Sequence, residues 1–123
     1  MKKAALIAVA AMALTPMPSV AHHSFAMFDL QETIALEGTV HRFKWQNPHA
    51  WLQVDVGIAG GGSERWAIEM TSPNNLALEG WRRTTVRTGD SVTLYVHPLR
   101  NGAKGGSFSG VRLANGETLG TVE

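Results

Sequence analysis

The sequence has 123 residues, of which 11 are Lys or Arg, 10 are Asp or Glu and none is Cys. This length favours one domain with a modest core, and without disulfides that core must be stabilised by packing alone. The charges are nearly balanced, which argues against the strongly basic surface typical of nucleic-acid-binding proteins. We therefore predict no nucleic-acid partner.

The beginning of the chain is organised like a secretory signal peptide. Lys2 and Lys3 precede an unbroken apolar run over residues 4–14, and the small residues Ser19 and Ala21 suit the pocket of signal peptidase. The apolar run is shorter than the roughly 20 residues that span a bilayer. An uncleaved membrane anchor is therefore the less favoured alternative.

Cleavage after Ala21 would define the remaining organisation of the chain. It predicts a signal peptide over residues 1–21 and a single β-barrel domain over residues 22–123, located in the periplasm and without membrane attachment. The mature domain would have 102 residues, with 9 basic and 10 acidic side chains.

Alternating apolar residues and turn signals predict a chain of short strands. Gly38 lies inside the first of them, where it predicts a bulge or a sharp bend. Asn115-Gly116 predicts a hairpin turn before the last strand. The predicted strands cover residues 33–45, 49–58, 64–70, 91–97 and 107–113, with a final strand near residues 117–122.

One short helix is predicted between the third and fourth strands. Ser72 is a favourable N-cap, Pro73 suits the first helical position and Gly80 suits the stop, so the helix should cover residues 73–79. An all-β chain with one helix at this point is typical of an OB-fold-like small Greek-key barrel of five to six strands. Another small sandwich or barrel with the same strand count is the alternative.

Several short motifs resemble a family of small exported bacterial proteins catalogued only as a domain of unknown function. The resemblance extends over nearly all of the mature chain and implies no particular activity. The motifs lie at residues 22–25 (HHSF), 37–40 (EGTV), 45–49 (WQNPH), 66–69 (WAIE), 78–81 (LEGW), 89–90 (GD) and 97–102 (HPLRNG).

The predicted mature N-terminus suggests a metal site. A chain that begins with His22 offers its terminal amine and its imidazole Nδ1 to one metal ion, and one further imidazole would complete the three-nitrogen site called a histidine brace. Nitrogen ligands in a planar arrangement favour Cu(II) over hard cations. Copper is therefore the cofactor we expect, and no other cofactor is indicated.

The position of the predicted turns selects the further imidazole. His49 opens the second strand and His97 closes the fourth, and in the predicted barrel the loops next to them lie at the same end. The candidate metal ligands are therefore His22, His49 and His97, with His23 and Asp29 as less favoured candidates. The bland alternative is that His22 belongs to a frayed end and that the other two are ordinary turn residues.

The tryptophans suggest a second kind of function. Trp51 alternates with the aliphatic residues of its strand, and OB-folds use such aromatic faces or the loops around them to bind ligands. A non-metal binding module is therefore the alternative to the copper site, although large rings also cap barrel ends as core.

The sequence has neither a Gly-x-Ser-x-Gly elbow nor a cysteine nucleophile, so we predict no enzymatic activity. An oxidative copper enzyme would need an open coordination position in addition to the brace. The expected partner is a metal ion or small ligand, and the sequence indicates no protein partner.

Overall fold

The computed structural model describes residues 25–123, which form a barrel of short antiparallel strands. The strand order is β3-β2-β1-β4-β5, β6 extends the sheet beyond β5, and parallel pairing between β3 and β5 closes the barrel. This confirms the predicted OB-fold-like barrel, with its helix between β3 and β4. The elements are a 3-10 helix at Phe25–Met27, β1 Ile34–Lys44, β2 Trp51–Gly57, β3 Ser63–Glu69, α1 Pro73–Leu78, β4 Ser91–Pro98, β5 Gly105–Leu113 and β6 Thr118–Gly120.

Strand β1 pairs with a different neighbour along each half of its length. Its first half pairs with β4 and its second half with β2, and Gly38 takes part in both ladders. A Cβ atom on Gly38 would lie 2.8 Å from the carbonyl oxygen of Asp55, so the glycine permits a close approach of the two backbones. The prediction placed a bulge or a sharp bend at Gly38, and the register with β2 shifts between Val40 and Arg42.

The barrel closes where β5 meets β3. Strand β5 begins two residues earlier than predicted, because Gly105 and Gly106 pair with Ala67 and Ile68 of β3. A Cβ atom on Gly106 would lie 2.7 Å from the carbonyl oxygen of His97 on β4. A glycine at this position therefore allows β5 to fit between β3 and β4.

The core fills the barrel with the inward-facing residues that the alternation predicted. Leu52 and Val54 of β2, for example, are fully buried, and so is Leu94 of β4. The buried cluster contains Leu36, Val40, Ala50, Leu52, Val54, Trp66, Ile68, Met70, Leu76, Trp81, Val86, Val92, Leu94, Val96 and Val111.

Helix α1 contributes to this core through a single turn. Ser72 caps the helix, since its hydroxyl oxygen accepts a hydrogen bond from the backbone N–H of Asn75, and Pro73 occupies the first turn, as predicted. Leu76 points into the barrel and is fully buried, whereas Leu78 is 88% exposed. Within the described part of the chain, no helix has the length and apolar character needed to cross a membrane.

The connection between β2 and β3 is an exposed glycine hairpin. Gly60, Gly61 and Gly62 all have positive φ, a conformation that only glycine adopts without strain. This glycine-rich turn pairs Gly57 with Ser63 and sets the register of the whole β2–β3 ladder.

Candidate functional site

A cavity of about 410 Å³ lies between the start of the 3-10 helix, the end of β3, strand β5 and the end of β6. Phenylalanine rings and Met70 supply its apolar lining, while a histidine, two carboxylates and several hydroxyl groups supply the polar lining. The lining residues are Phe25, Phe28, His49, Glu69, Met70, Thr71, Glu79, Ser107, Phe108, Ser109, Gly120 and Thr121.

The polar centre of this cavity is the pair formed by His49 and Glu69. The Nδ1 atom of His49 donates a hydrogen bond to Oε1 of Glu69 over 2.5 Å. Glu69 is only 7% exposed, although it lies at the end of a strand. Burial of an ionised carboxylate is costly unless a charged or hydrogen-bonding partner accompanies it, and His49 is such a partner.

The barrel fixes the geometry of this pair. Glu69 lies opposite Trp51 in the β2–β3 ladder. Just beyond that pair, Ala50 donates to the carbonyl of Thr71 and its own carbonyl accepts from Met70, which extends the ladder toward His49. The imidazole is therefore carried by ordered backbone.

A histidine held through Nδ1 by a carboxylate has a defined chemical orientation. The bond fixes the tautomer and the direction of the ring, so that Nε2 becomes the nitrogen suited to a metal ion or a proton acceptor role. Carboxylate–histidine pairs of this kind commonly support metal ligands in proteins. The geometry thus gives His49 the chemistry of a ligand with a supporting carboxylate.

The other predicted ligand on the barrel, His97, has a different environment. Its Nδ1 donates a hydrogen bond to the backbone carbonyl of Glu32 over 2.8 Å. His97 lies on β4 opposite Ser107 of β5, and Ser107 in turn lies opposite Glu69 of β3. His49 and His97 therefore lie at one end of the barrel, on either side of β5.

The remaining candidates are distributed as follows. Asp29 accepts a hydrogen bond from the N–H of Gln31 and lies 3.6 Å from the guanidinium of Arg100. His22 and His23, with the predicted signal peptide, lie outside the described residues. Over residues 25–123, no three His, Asp or Glu side chains form a group able to hold a metal ion. The three-histidine set stays a prediction.

A second charged cluster lies on the surface of the barrel. Arg65 donates to both carboxylate oxygens of Asp55, over 2.9 and 3.3 Å, and Nδ1 of His41 lies 3.8 Å from the same carboxylate. The hydrogen bond from Arg65, more than the nearby charges of Arg65 and His41, holds the pKa of Asp55 below its ordinary value of 3.8. These residues do not line the cavity.

The tryptophans divide between the core and its edge. Trp66 and Trp81 are buried, as expected if the rings act as core, whereas Trp45 and Trp51 are partly exposed. Trp81 packs edge to face against Phe108 at 5.4 Å between ring centres, and Phe108 lines the cavity. The cavity wall is thus backed by a core aromatic.

Sequence reasoning left Glu69 without a partner. In the alternating pattern of β3 it takes a position that normally faces solvent, so its burial beside His49 was not expected. The signal that would have found it is the hairpin register, since counting outward from the glycine turn pairs Trp51 with Glu69 and brings His49 close behind.

Comparison with known proteins bears on both the fold and the expected partners. A similar solved structure is the mitochondrial single-stranded DNA-binding protein Rim1 from S. cerevisiae, at 12% identity over 68% of this chain and 94% of that chain, with a TM-score of 0.49. No curated protein sequence matches this chain. The prediction of no nucleic-acid partner, which rested on the nearly balanced charge of the chain, is wrong, since the similar structure is that of a DNA-binding protein. At this identity, the likeness concerns the fold.

The family comparison agrees with the resemblance noted in the sequence motifs. The matching model extends over residues 8–108, which include every strand through the first part of β5 and also the predicted cleavage point. The chain belongs to the family of unknown function DUF6152.

Proposed function

We propose that the protein is exported to the periplasm and binds copper there. In this proposal the amine and Nδ1 of His22 supply two ligands after signal cleavage, and the imidazole of His49 supplies the third. Glu69 orients that imidazole. The protein carries or stores the metal, and the site exists only outside the cytoplasm, because cleavage creates the amine.

The observation that carries the proposal is that one cavity contains both the His49–Glu69 pair and Phe25. His22 precedes Phe25 by three residues. Three residues span at most about 10 Å, so the covalent chain limits His22 to the neighbourhood of this cavity. An imidazole held by a carboxylate and a chain start within reach are the two parts that a histidine brace requires.

The choice of metal follows from the ligand types. Three nitrogen donors favour Cu(II) over magnesium or calcium, which prefer oxygen ligands. The hydrogen bond from Nδ1 of His49 to Glu69 would orient the ring and fix Nε2 as the donor atom.

Titration with Cu(II) tests the role of the amine. Protein beginning at His22 is compared with protein that carries one additional residue before His22. We expect tight binding by the first and loss of tight binding by the second, because the extension removes the amine from its chelate ring. Equal affinities would exclude the brace.

A variant of Glu69 tests the role of the cavity. In protein beginning at His22, Glu69→Gln should weaken copper binding by roughly 10- to 100-fold, the usual effect of losing a carboxylate behind a metal-bound histidine. Glu64→Gln is the matched control, since Glu64 lies on the same strand and faces Lys104 at the surface. Equal copper affinity of both variants would remove Glu69 and its cavity from the proposal.

The apolar lining of the cavity favours a second candidate function, the binding of a small organic ligand. Phe25, Phe28 and Phe108 surround about 410 Å³, a volume within the usual range of ligand sites. This candidate predicts that a bound ligand raises the melting temperature in the presence of a chelator, whereas the copper proposal predicts that the chelator abolishes stabilisation by the metal.

A further inference from the structure

The segment before β1 is fastened to the end of β4 by its backbone. Phe28 forms an isolated bridge with Leu99, the N–H of Asp29 donates to the carbonyl of Pro98 over 2.8 Å, and the N–H of Arg100 donates to the carbonyl of Met27 over 3.0 Å. Phe28 is only 4% exposed. These bonds continue the sheet onto the segment for a few residues.

Two side chains reinforce this attachment from the barrel. Nε of Arg100 donates to the carbonyl of Ala26 over 3.2 Å, and Nη2 of the same residue lies 3.6 Å from the carboxylate of Asp29. At the other end of the segment, Nδ1 of His97 donates to the carbonyl of Glu32 over 2.8 Å. Arg100 and His97 therefore hold the segment near its beginning and at its end.

We propose that His97 and Arg100 are positioning residues that hold residues 25–32 beside the cavity of His49 and Glu69, so that the chain leading back to His22 starts at this cavity. This inference rests on the proposed function. It assigns His97 a role other than that of metal ligand, and it gives Arg100, which was not among the candidate site residues, a part in the site. Both act through the segment and neither touches the metal.

The environment of His97 supports this assignment. A brace needs one imidazole besides His22, and His49 shares a cavity with Phe25, whereas His97 does not line that cavity. The carbonyl of Glu32 can only accept a hydrogen bond, so Nδ1 of His97 must carry the proton. Its side chain thus bonds to the segment that precedes β1.

Fastening of the segment would preorganise it for metal binding. A segment that is already ordered loses less conformational freedom when its first residue binds the metal. Release of the segment should therefore weaken binding without changing the set of ligand atoms. This separates a positioning residue from a ligand, because only loss of a ligand alters the spectrum of bound Cu(II).

Two variants of His97 distinguish a positioning residue from a metal ligand. His97→Asn keeps an N–H donor that can serve the carbonyl of Glu32 but removes the imidazole, whereas His97→Ala removes both. We expect copper affinity close to that of the unaltered protein for His97→Asn, roughly 10-fold weaker binding for His97→Ala, and an unchanged Cu(II) electron paramagnetic resonance spectrum for both. Weaker binding with an altered spectrum in His97→Asn would make His97 a ligand and overturn the proposal.

Arg100→Ala tests the second positioning residue, with Arg83→Ala as a control of equal charge in the exposed stretch after α1. Arg100→Ala should weaken copper binding by roughly 10-fold with the same spectrum, and Arg83→Ala should not. Without metal, hydrogen exchange at the amide of Asp29 should be faster in Arg100→Ala, while that of Leu94 in the core stays unchanged. Unchanged exchange at Asp29 would overturn the fastening itself.

The two proposals fail in distinguishable ways. Equal copper binding by the His22 form and the extended form would refute the brace, and the exchange of Asp29 would still decide whether Arg100 holds the segment. Tight binding by the His22 form with equal affinity in Arg100→Ala and His97→Ala would leave copper binding in place and refute the positioning role.

Discussion

At the scale of single residues, the molecule places its carboxylates in two contrasting environments. Glu69 is buried beside one histidine, while Asp55 lies on the surface between Arg65 and His41. Neither contact is visible in the sequence, because each partner is 10 or more residues away along the chain. The effect of each carboxylate on the protein therefore depends on the register of β2 and β3.

The surface pair predicts a pH-dependent contribution to stability. Because Arg65 lowers the pKa of Asp55 in the folded protein, the pair stabilises the fold at pH values above the ordinary 3.8, and this stabilisation is lost as the pH falls through the lowered pKa. Arg65→Ala should therefore reduce the free energy of unfolding at neutral pH and make no difference once Asp55 is protonated. Urea denaturation at several pH values measures the change.

Arg83→Ala provides the comparison for that experiment, since it removes the same charge from a different exposed site. Its effect on unfolding should not follow the titration of Asp55. A difference between unaltered protein and Arg65→Ala that persisted at the lowest pH would show that packing of the Arg65 side chain, and not its charge, supports the fold.

At the scale of elements, helix α1 depends on its attachment to the barrel. Six residues are too few for a helix that is stable alone in water. The Ser72 cap and Pro73 define where it begins, and these signals were readable in the sequence. The burial of Leu76 supplies the tertiary support that the short helix needs.

Substitution by alanine should affect stability very differently at the two leucines of this helix. Leu76→Ala should lower the free energy of unfolding by about 2–5 kcal/mol, because it opens a cavity in the core. Leu78→Ala should change it by less than about 0.5 kcal/mol, because that side chain is exposed. Thermal or urea unfolding of both variants checks the prediction, and similar values for the two would contradict the position of the helix.

The segment before β1 shows what the sequence did not reveal at this scale. Residues 25–32 have neither strand alternation nor a helix pattern, so they carried no prediction of structure. Their order comes from contacts with residues 97–100, about 70 positions away, including the hydrogen bond from Arg100 to Ala26. Such contacts are decided by the closed fold and leave no local pattern.

At the scale of the whole molecule, closure of the barrel determines both stability and the cavity. Three residue pairs join β3 to β5, and the last of them is Glu69 with Ser107, which both line the cavity. The sequence predicted the number and order of strands from alternation and turns. It did not predict that β5 begins at Gly105, because glycines carry no alternation signal.

Substitution of a closing glycine tests this account. Gly106→Ala would bring a Cβ atom within 2.7 Å of the carbonyl oxygen of His97, so we expect a loss of about 1–3 kcal/mol in the free energy of unfolding. Gly57→Ala, at a strand end with no atom within 4 Å of the added Cβ, should be nearly neutral. Chemical denaturation measures both, and an equally neutral Gly106→Ala would mean that β5 shifts easily at the closure.

The glycine hairpin between β2 and β3 offers a practical attachment point. It lies at the opposite end of β2 from Trp51, a separation of about 20 Å at the usual rise per residue of a strand. The chain contains no cysteine, so Ala59→Cys, at an exposed position in that hairpin, would introduce a unique thiol. A dye or a sensor surface coupled there would leave the region around His49 open to the surrounding solution.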